Sequence, residues 1–159
     1  MLEKSLNRKL YAAFLLTLCL FTGFFFAFIW EKYWPKIQYA DDPLNFPISA
    51  PIFYFFCILS YLIQGVSFII LSEHRKKTYY EVAFLLFWTQ FFLSVLWLGA
   101  FFGLKQFGLA LSILMMTFGA LCATFYFMRT VHTTAAFLLI PAGILITWMG
   151  IFNAWFFVV

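Results

Sequence analysis

The chain has 159 residues, of which 65% are hydrophobic, 25% aromatic and only 10% charged. Soluble domains carry about 25% charged residues, and a soluble domain of this length could not bury so much apolar surface. The composition therefore excludes a soluble enzyme, a disordered chain and a disulfide-stabilised secreted scaffold. It predicts one membrane domain over residues 1–159.

The few charged residues divide the chain into five long uncharged stretches. About 20 apolar residues are enough to cross a hydrocarbon core roughly 30 Å thick. Inside that core each backbone segment must satisfy its own hydrogen bonds, which favours helices. We therefore predict an all-α membrane protein, a bundle of five transmembrane helices. The predicted helices are 10–30, 51–71, 80–102, 106–128 and 135–157.

The longest predicted connection is the loop 31–50, which joins the first two helices. It contains three prolines and several aromatic residues. Connections between helices usually have about two to eight residues, and longer ones often act as lids. We expect this loop to cap one end of the bundle.

Lysine and arginine are unevenly shared between the two ends of the predicted bundle. Seven of the ten lie in the N-terminal segment and in the connections after the second and fourth helices. Because cytoplasmic loops are enriched in these residues, we predict a cytoplasmic N-terminus and an external C-terminus. No basic face exists outside the loops, so we predict the lipid bilayer as a partner and no nucleic acid.

Residues that catalyse reactions or bind metals are scarce. Cys19, Cys57 and Cys122 lie singly in three predicted helices, which is typical of small apolar core residues. His74 and His132 have no metal-ligating partner at helical spacing. We therefore predict no catalytic residue, no metal site and no required cofactor.

A few polar side chains lie within the predicted helices and should face the bundle interior, because a polar group in hydrocarbon needs a partner. They could form interhelical hydrogen bonds, worth about 0.6 kcal/mol on average, or orient a ligand in a pocket. Both readings stay open for Gln90 and Asn153. The first is favoured for Gln64, Ser94 and Thr124.

Tryptophan falls into two groups by its position in the predicted helices. Trp30, Trp34, Trp88 and Trp155 lie near helix ends, which is typical of an interfacial belt. Trp97 lies deeper, where a flat ring can wall a pocket for a flat apolar ligand.

Small residues recur at four-residue spacing on two helices. Gly99 and Gly103 lie on the third predicted helix, and Gly119 and Ala123 lie on the fourth. This spacing lets another helix approach closely, either within the chain or in a dimer.

From the third helix onward the sequence resembles the translocator protein family, also called tryptophan-rich sensory proteins or peripheral-type benzodiazepine receptors. Residues 90–97 read QFFLSVLW, close to the family pattern Q-L-x-L-N-x-x-W. Residues 101–111 read FFGLKQFGLAL and look like FFG-x-[RK]-Q-x-G-x-A-L. Residues 135–141 read AAFLLIP, similar to A-A-x-L-L-x-P, and Asn153 follows at the family's spacing.

The resemblance implies a five-helix bundle, commonly a homodimer, with a ligand pocket between the helices under the first loop. The family's ligands are porphyrins, sterols and aromatic drugs, and we expect a flat apolar molecule, a porphyrin or haem-like tetrapyrrole, here. We expect a multi-pass protein in a bacterial cell membrane. The spacing of Gly99 and Gly103 separately predicts that these two residues lie at the dimer interface. By position, the resemblance assigns ligand binding to Phe53, Tyr54, Cys57, Gln90, Trp97, Leu109, Met116, Met149, Phe152 and Asn153. From the capping loop we add Trp34 and Phe46 as expected ligand-binding residues.

The leading hypothesis is a membrane ligand-binding or sensory protein that takes part in the transport or regulation of its ligand. One alternative is an enzyme that degrades porphyrin with light or oxygen. Cys57 stands where the family has a tryptophan linked to porphyrin breakdown in some bacterial relatives, which disfavours this alternative. The other is a structural or regulatory membrane partner with no small ligand.

Overall fold

The computed structural model describes the backbone of residues 2–41 and 50–158, with side chains over 10–33, 52–154 and at 156. This part of the chain is helical and contains no strand. The elements are α1 (Leu2–Asp41), α2 (Ala50–Glu73), α3 (Tyr80–Leu98), a π-helical turn (Gly99–Gly103), α4 (Phe107–Val131), α5 (Thr133–Phe137) and α6 (Ile140–Val158).

Five segments are long and apolar enough to cross a membrane. The prediction of an all-α bundle with five membrane spans is therefore confirmed. Large apolar side chains cover the outer faces, and Phe21, Leu85 and Met115 are each about two-thirds exposed. Such a surface suits hydrocarbon rather than water. The spans are Leu10–Tyr33, Ile52–Glu73, Tyr80–Gly103, Phe107–Val131 and Thr133–Ala154.

The predicted end of the first helix, at residue 30, is wrong. Helix α1 continues to Asp41, so residues 31–41 of the predicted loop are helical. Charged residues end an apolar span but need not end a helix, since glutamate and lysine are good helix formers.

The predicted fifth helix, 135–157, is divided into α5 and α6. Pro141 lacks the N–H group that would bond to the carbonyl of Phe137, and a proline fits best in the first turn of a helix. The chain therefore tightens, and the Leu139 amide donates to the Ala136 carbonyl at 2.9 Å. Pro141 then lies in the first turn of α6.

The third span ends in a π-helical turn, where the prediction had continuous α-helix to residue 102. The Leu104 amide donates to the Gly99 carbonyl, five residues back, at 2.9 Å. This wide turn keeps both Phe101 and Phe102 buried. Lys105 then takes a left-handed conformation, with φ of 53°, as the chain turns into α4.

Helix α1 packs along α2, and α4 packs against both α3 and α6. Two glycines allow the first of these contacts. A Cβ atom on Gly23 would lie 3.1 Å from the Ile58 Cα, and one on Gly65 would lie 3.2 Å from the Cys19 Cβ. The glycines predicted to mediate close packing, Gly99, Gly103 and Gly119, have no such neighbour within 4 Å among the described residues.

The polar side chains of the spans face the interior as predicted, with Gln64, Gln90, Thr124 and Asn153 all buried. Ser94 and Thr124 nevertheless donate to carbonyls of their own helices, at 2.9 and 2.7 Å. The Thr124 bond stays within its own helix, contrary to the interhelical bond favoured for it, because a hydroxyl side chain can bond one turn back. The Ser94 hydroxyl also forms a hydrogen bond with the Tyr61 side chain of α2, so the interhelical bond favoured for Ser94 is present.

A further interhelical bond comes from Ser67, which the sequence pattern did not single out. Its hydroxyl donates to the Ala135 carbonyl at 2.6 Å. This bond ties α2 to α5, immediately before the break in the fifth span.

Candidate functional site

Aromatic rings fill the space between α1, α2 and α6. The ring centroids of Trp30 and Phe53 are 4.0 Å apart, those of Phe53 and Trp148 are 4.8 Å apart, and those of Trp30 and Phe152 are 4.9 Å apart. The structure thus brings the predicted residues Phe53 and Phe152 together. Both pack against the rings of Trp30 and Trp148.

Trp30 and Trp148 belong to this ring cluster, and neither was predicted to. Trp30 was assigned to an interfacial belt, but it is only 3% exposed and is packed among rings. Position near a helix end does not reveal which face a side chain occupies. Trp148 could have been found from its spacing, because it lies four residues before Phe152 and therefore on the same face of α6.

A second ring cluster surrounds Trp97, which has no solvent exposure. Its ring stacks on Phe101 at a centroid distance of 5.1 Å and lies 6.4 Å from Phe26. Phe102 contacts Trp97 at 6.0 Å and Trp30 at 5.7 Å, which joins the two clusters. The rings form one continuous aromatic interior.

A cavity of about 10 Å³ remains beside Trp97, with Tyr61, Gln64 and Ser94 among its polar lining residues and Met149 among its apolar ones. A cavity of roughly 10–15 Å³ holds one water molecule. Sites for small organic ligands usually measure about 300–1,000 Å³. The interior is therefore closed in this conformation, and a flat ligand could enter it only if rings moved apart.

Three polar atoms in this interior have no hydrogen-bond partner among the described residues. They are Oε1 and Nε2 of Gln90 and Nε1 of Trp97. Gln90, Ser94 and Trp97 recur at the spacing of one helical face. A buried polar group left without a partner costs about 1–3 kcal/mol, so a molecule that bonded to these atoms would recover that loss.

Asn153 is in the opposite situation. With its amide oriented to suit both neighbours, Nδ2 donates to the Phe107 carbonyl at 3.2 Å and Oδ1 accepts from the Leu111 amide at 2.6 Å. The side chain thereby ties α6 to the first turns of α4. Of the two readings left open for Asn153, the contacts favour interhelical bonding.

The remaining predicted residues are dispersed. Cys57 is fully buried near Gly23 of α1, and Tyr54 is partly buried. Leu109 and Met116 are 46% and 62% exposed on the outer face of α4, so they do not contribute to the interior as expected. Side chains of two other predicted residues, Trp34 and Phe46, lie outside the described residues.

Most of the open apolar volume lies outside the bundle, in two grooves beside α6. One has a volume of about 610 Å³ and lies between α4 and α6. The other, of about 200 Å³, is lined by Phe53 and Phe56 of α2 and by Ile144 and Trp148 of α6. Trp148 borders both grooves, and the ring cluster lies behind it.

Across the described residues, no group of three or more histidine, cysteine or acidic side chains could hold a metal ion. His74 and His132 do meet, with ring centroids 4.7 Å apart. The Nδ1 atom of His132 accepts from the Ala135 amide at 3.3 Å, so this ring caps α5. What the arrangement offers chemically is an aromatic interior with unpaired hydrogen-bonding groups.

A family model now decides the identity that the motifs and the five-span bundle indicate. The model of the TspO/MBR family matches residues 15–158. The chain belongs to the TspO/MBR family. The resemblance stated from the motifs is thereby confirmed, over nearly the whole chain. No curated protein matches the chain in a sequence search.

As a TspO/MBR family member with five apolar spans, the protein is an integral, multi-pass membrane protein. The family match covers all five spans except the first residues of α1's span. The aromatic interior and the two outer grooves therefore lie within the matched region.

Proposed function

We propose that this TspO/MBR protein binds a flat apolar molecule with a few polar groups, and that tetrapyrroles are the ligand class. The observation that carries the proposal is the buried pair Gln90 and Trp97, whose side-chain polar atoms lack partners among the described residues, together with the aromatic rings packed around Trp97. Ring faces would contact the ligand's plane, and the two side chains would orient its polar edge. Transport or regulation of the ligand would follow from that binding.

Binding requires the interior to open, because its cavity has room for about one water molecule. Leu145 of α6 lines both this cavity and the 200 Å³ groove beside α6, and the rings of Phe53 and Trp148 line the groove. A movement of Leu145 together with these rings would connect the two spaces. In this proposal the ligand reaches Gln90 sideways, from the bilayer.

Titration of the purified chain with protoporphyrin IX, followed by tryptophan fluorescence, tests the proposal. We expect saturable quenching, because six tryptophans lie in the chain and two ring clusters line the interior. Replacing Gln90 by Leu should weaken binding about three- to tenfold, the value of one hydrogen bond. The matched control is Leu109→Ala on the outer face of α4, which should bind like the parent. Quenching that never saturates would contradict the proposal.

A second candidate function is a structural or regulatory membrane partner that binds no small molecule. The closed interior favours it, because well-packed rings need no ligand to be stable. A ligand that binds only the folded protein must raise its unfolding temperature. This candidate therefore predicts an unfolding midpoint that does not respond to any porphyrin, sterol or aromatic drug.

We further infer that the protein is a homodimer in a bacterial cell membrane with a cytoplasmic N-terminus. Gly99 and Gly103 leave a bare outward patch on the third span, which another helix could approach closely. The excess of lysine and arginine at the N-terminal end supports the orientation.

A further inference from the structure

A cleft of about 730 Å³ opens where the beginning of the α1 span meets the end of α2. Its walls are Tyr11 and Ala12 of α1, Ile69 of α2 and the stretch 72–77. Tyr11 and Ile69 lie inside apolar spans, whereas residues 74–77 lie beyond them. The cleft therefore crosses the boundary of the apolar zone, at the depth where lipid headgroups lie.

The outer half of the cleft is cationic. Arg75, Lys76 and Lys77 line it together with one carboxylate, Glu73. All three cations are exposed, and none forms an ion pair with a side chain that the structure describes. The formal charge of these four residues is +2, so the cleft attracts an anion.

Arg75 is held in place, which gives the cleft a defined shape. Its Nε donates to the Ser72 carbonyl at 3.1 Å, and its guanidinium lies 5.2 Å from the centroid of the Tyr11 ring. The two contacts join the turn after α2 to both helices of the cleft. Lys76 and Lys77 follow directly, and both side chains are exposed.

We propose that this cleft binds the phosphate-bearing headgroup of an anionic membrane lipid. The phosphate would lie against Lys76, Lys77 and the Arg75 guanidinium. The part of the acyl chain nearest the headgroup would pack along Ile69 and Tyr11 toward the hydrocarbon. A free phosphate ion would use the cations but leave this apolar wall empty, so the wall favours a lipid. The site is separate from Gln90 and Trp97, which do not line it.

The test uses the full chain in a neutral detergent and follows its unfolding midpoint during titration with dioctanoyl phosphatidylglycerol. A saturable rise is expected, since a ligand of the folded state stabilises it. Dioctanoyl phosphatidylcholine and inorganic phosphate, at equal concentrations, should produce much smaller shifts. An equal shift with phosphatidylcholine would overturn the proposal by showing that only acyl chains bind. An equal shift with phosphate would overturn it in favour of a free-anion site.

Two sets of variants locate the site. Each lysine near a membrane surface contributes about fivefold in affinity for anionic lipid, so Lys76→Gln with Lys77→Gln should weaken phosphatidylglycerol binding by at least tenfold. Lys76→Arg with Lys77→Arg should retain it, which separates lost charge from faulty folding. The matched control, Lys32→Gln with Lys105→Gln, removes two exposed cations elsewhere and should change affinity less than twofold. Unchanged binding by the first double variant would refute the assignment.

Discussion

Two buried amides, Gln90 and Asn153, look alike in the sequence and differ in the structure. Both side chains are almost fully buried. Asn153 satisfies its donor and its acceptor on the backbone of α4, whereas Gln90 has no partner among the described residues. The difference comes from what each helix face meets, since Asn153 meets backbone groups in the first turns of α4, whereas no described group bonds to the Gln90 amide. The structure therefore distinguishes Asn153, whose amide stabilises the bundle, from Gln90, whose amide could bond to a ligand.

Replacing each amide by leucine should have opposite effects on stability. Gln90→Leu removes an unpaired buried polar group, so we expect an unfolding free energy that is unchanged or higher by about 1 kcal/mol. Asn153→Leu removes two hydrogen bonds, so we expect a loss of about 1–2 kcal/mol. Thermal unfolding in one detergent, followed by circular dichroism, measures both. A clear destabilisation by Gln90→Leu would mean that its amide has a partner.

At the scale of helices, two glycines lie at a contact between helices and two others lie on the outer surface. Gly23 and Gly65 lie where α1 and α2 approach each other most closely. Gly99 and Gly103 lie on the π-helical turn and face outward, where a Cβ atom would meet no described atom within 4 Å. Sequence spacing alone treats these pairs alike, because it does not report which face of a helix is covered.

The double variant Gly99→Leu with Gly103→Leu should convert the dimer into a monomer in detergent. The unfolding midpoint of that monomer should not fall. Side chains there would block a close contact with a second copy and touch nothing in the described part of their own chain. Light scattering after size-exclusion chromatography measures the mass of the particle.

Gly23→Leu is the control for that pair. The added side chain would meet the backbone of α2, and overpacking of this kind costs about 1–3 kcal/mol or more. It should lower stability and leave the oligomeric state of the folded protein unchanged. A dimer that persists in the outward variant would refute the interface.

At the scale of the whole molecule, the two ends of the bundle differ in charge. The contact between His74 and His132 shows that the connections after α2 and α4 lie at the same end. Arg75, Lys76 and Lys77 lie beside the first of these connections, and Lys105 lies at the opposite end, between α3 and α4. The uneven count of cations in the sequence thus corresponds to a real asymmetry in space.

Reporter fusions in a bacterial host test the orientation. Alkaline phosphatase fused after Val159 should be active, because the positive-inside rule predicts an external C-terminus. Green fluorescent protein at the same position should be dark. Phosphatase fused after Lys77 is the matched control and should be inactive. The reverse pattern at both positions would invert the proposed topology.

The number and order of the spans could be predicted because charge and hydropathy belong to each stretch of chain on its own. The ends of the elements were less predictable. Helix α1 continues past its apolar stretch to Asp41, and only the break before Pro141 had a local signal. A helix can leave the hydrocarbon without ending, so hydropathy does not mark its last residue.

The candidate site was predicted only in part, because ring contacts depend on how each helix is rotated. Phe53, Trp97, Met149 and Phe152 are in the interior, but the outward faces of Leu109 and Met116 could not be read from motif positions. Trp148 completes the ring cluster although no motif marked it. Packing across helices, which one sequence does not display, makes the difference.

The π-helical turn at Gly99–Gly103 determines how the third span would respond to the insertion or deletion of one residue. One residue added to or removed from an α-helix rotates everything on one side of the change by about 100°. A π turn contains one residue more than the α turn it replaces and so confines that rotation to a single turn. Shortening this turn by one residue would make the third span a regular α-helix and rotate the residues after the turn by about 100° relative to Trp97. The extra residue therefore fixes how α3 is rotated about its axis relative to the segment that follows the turn.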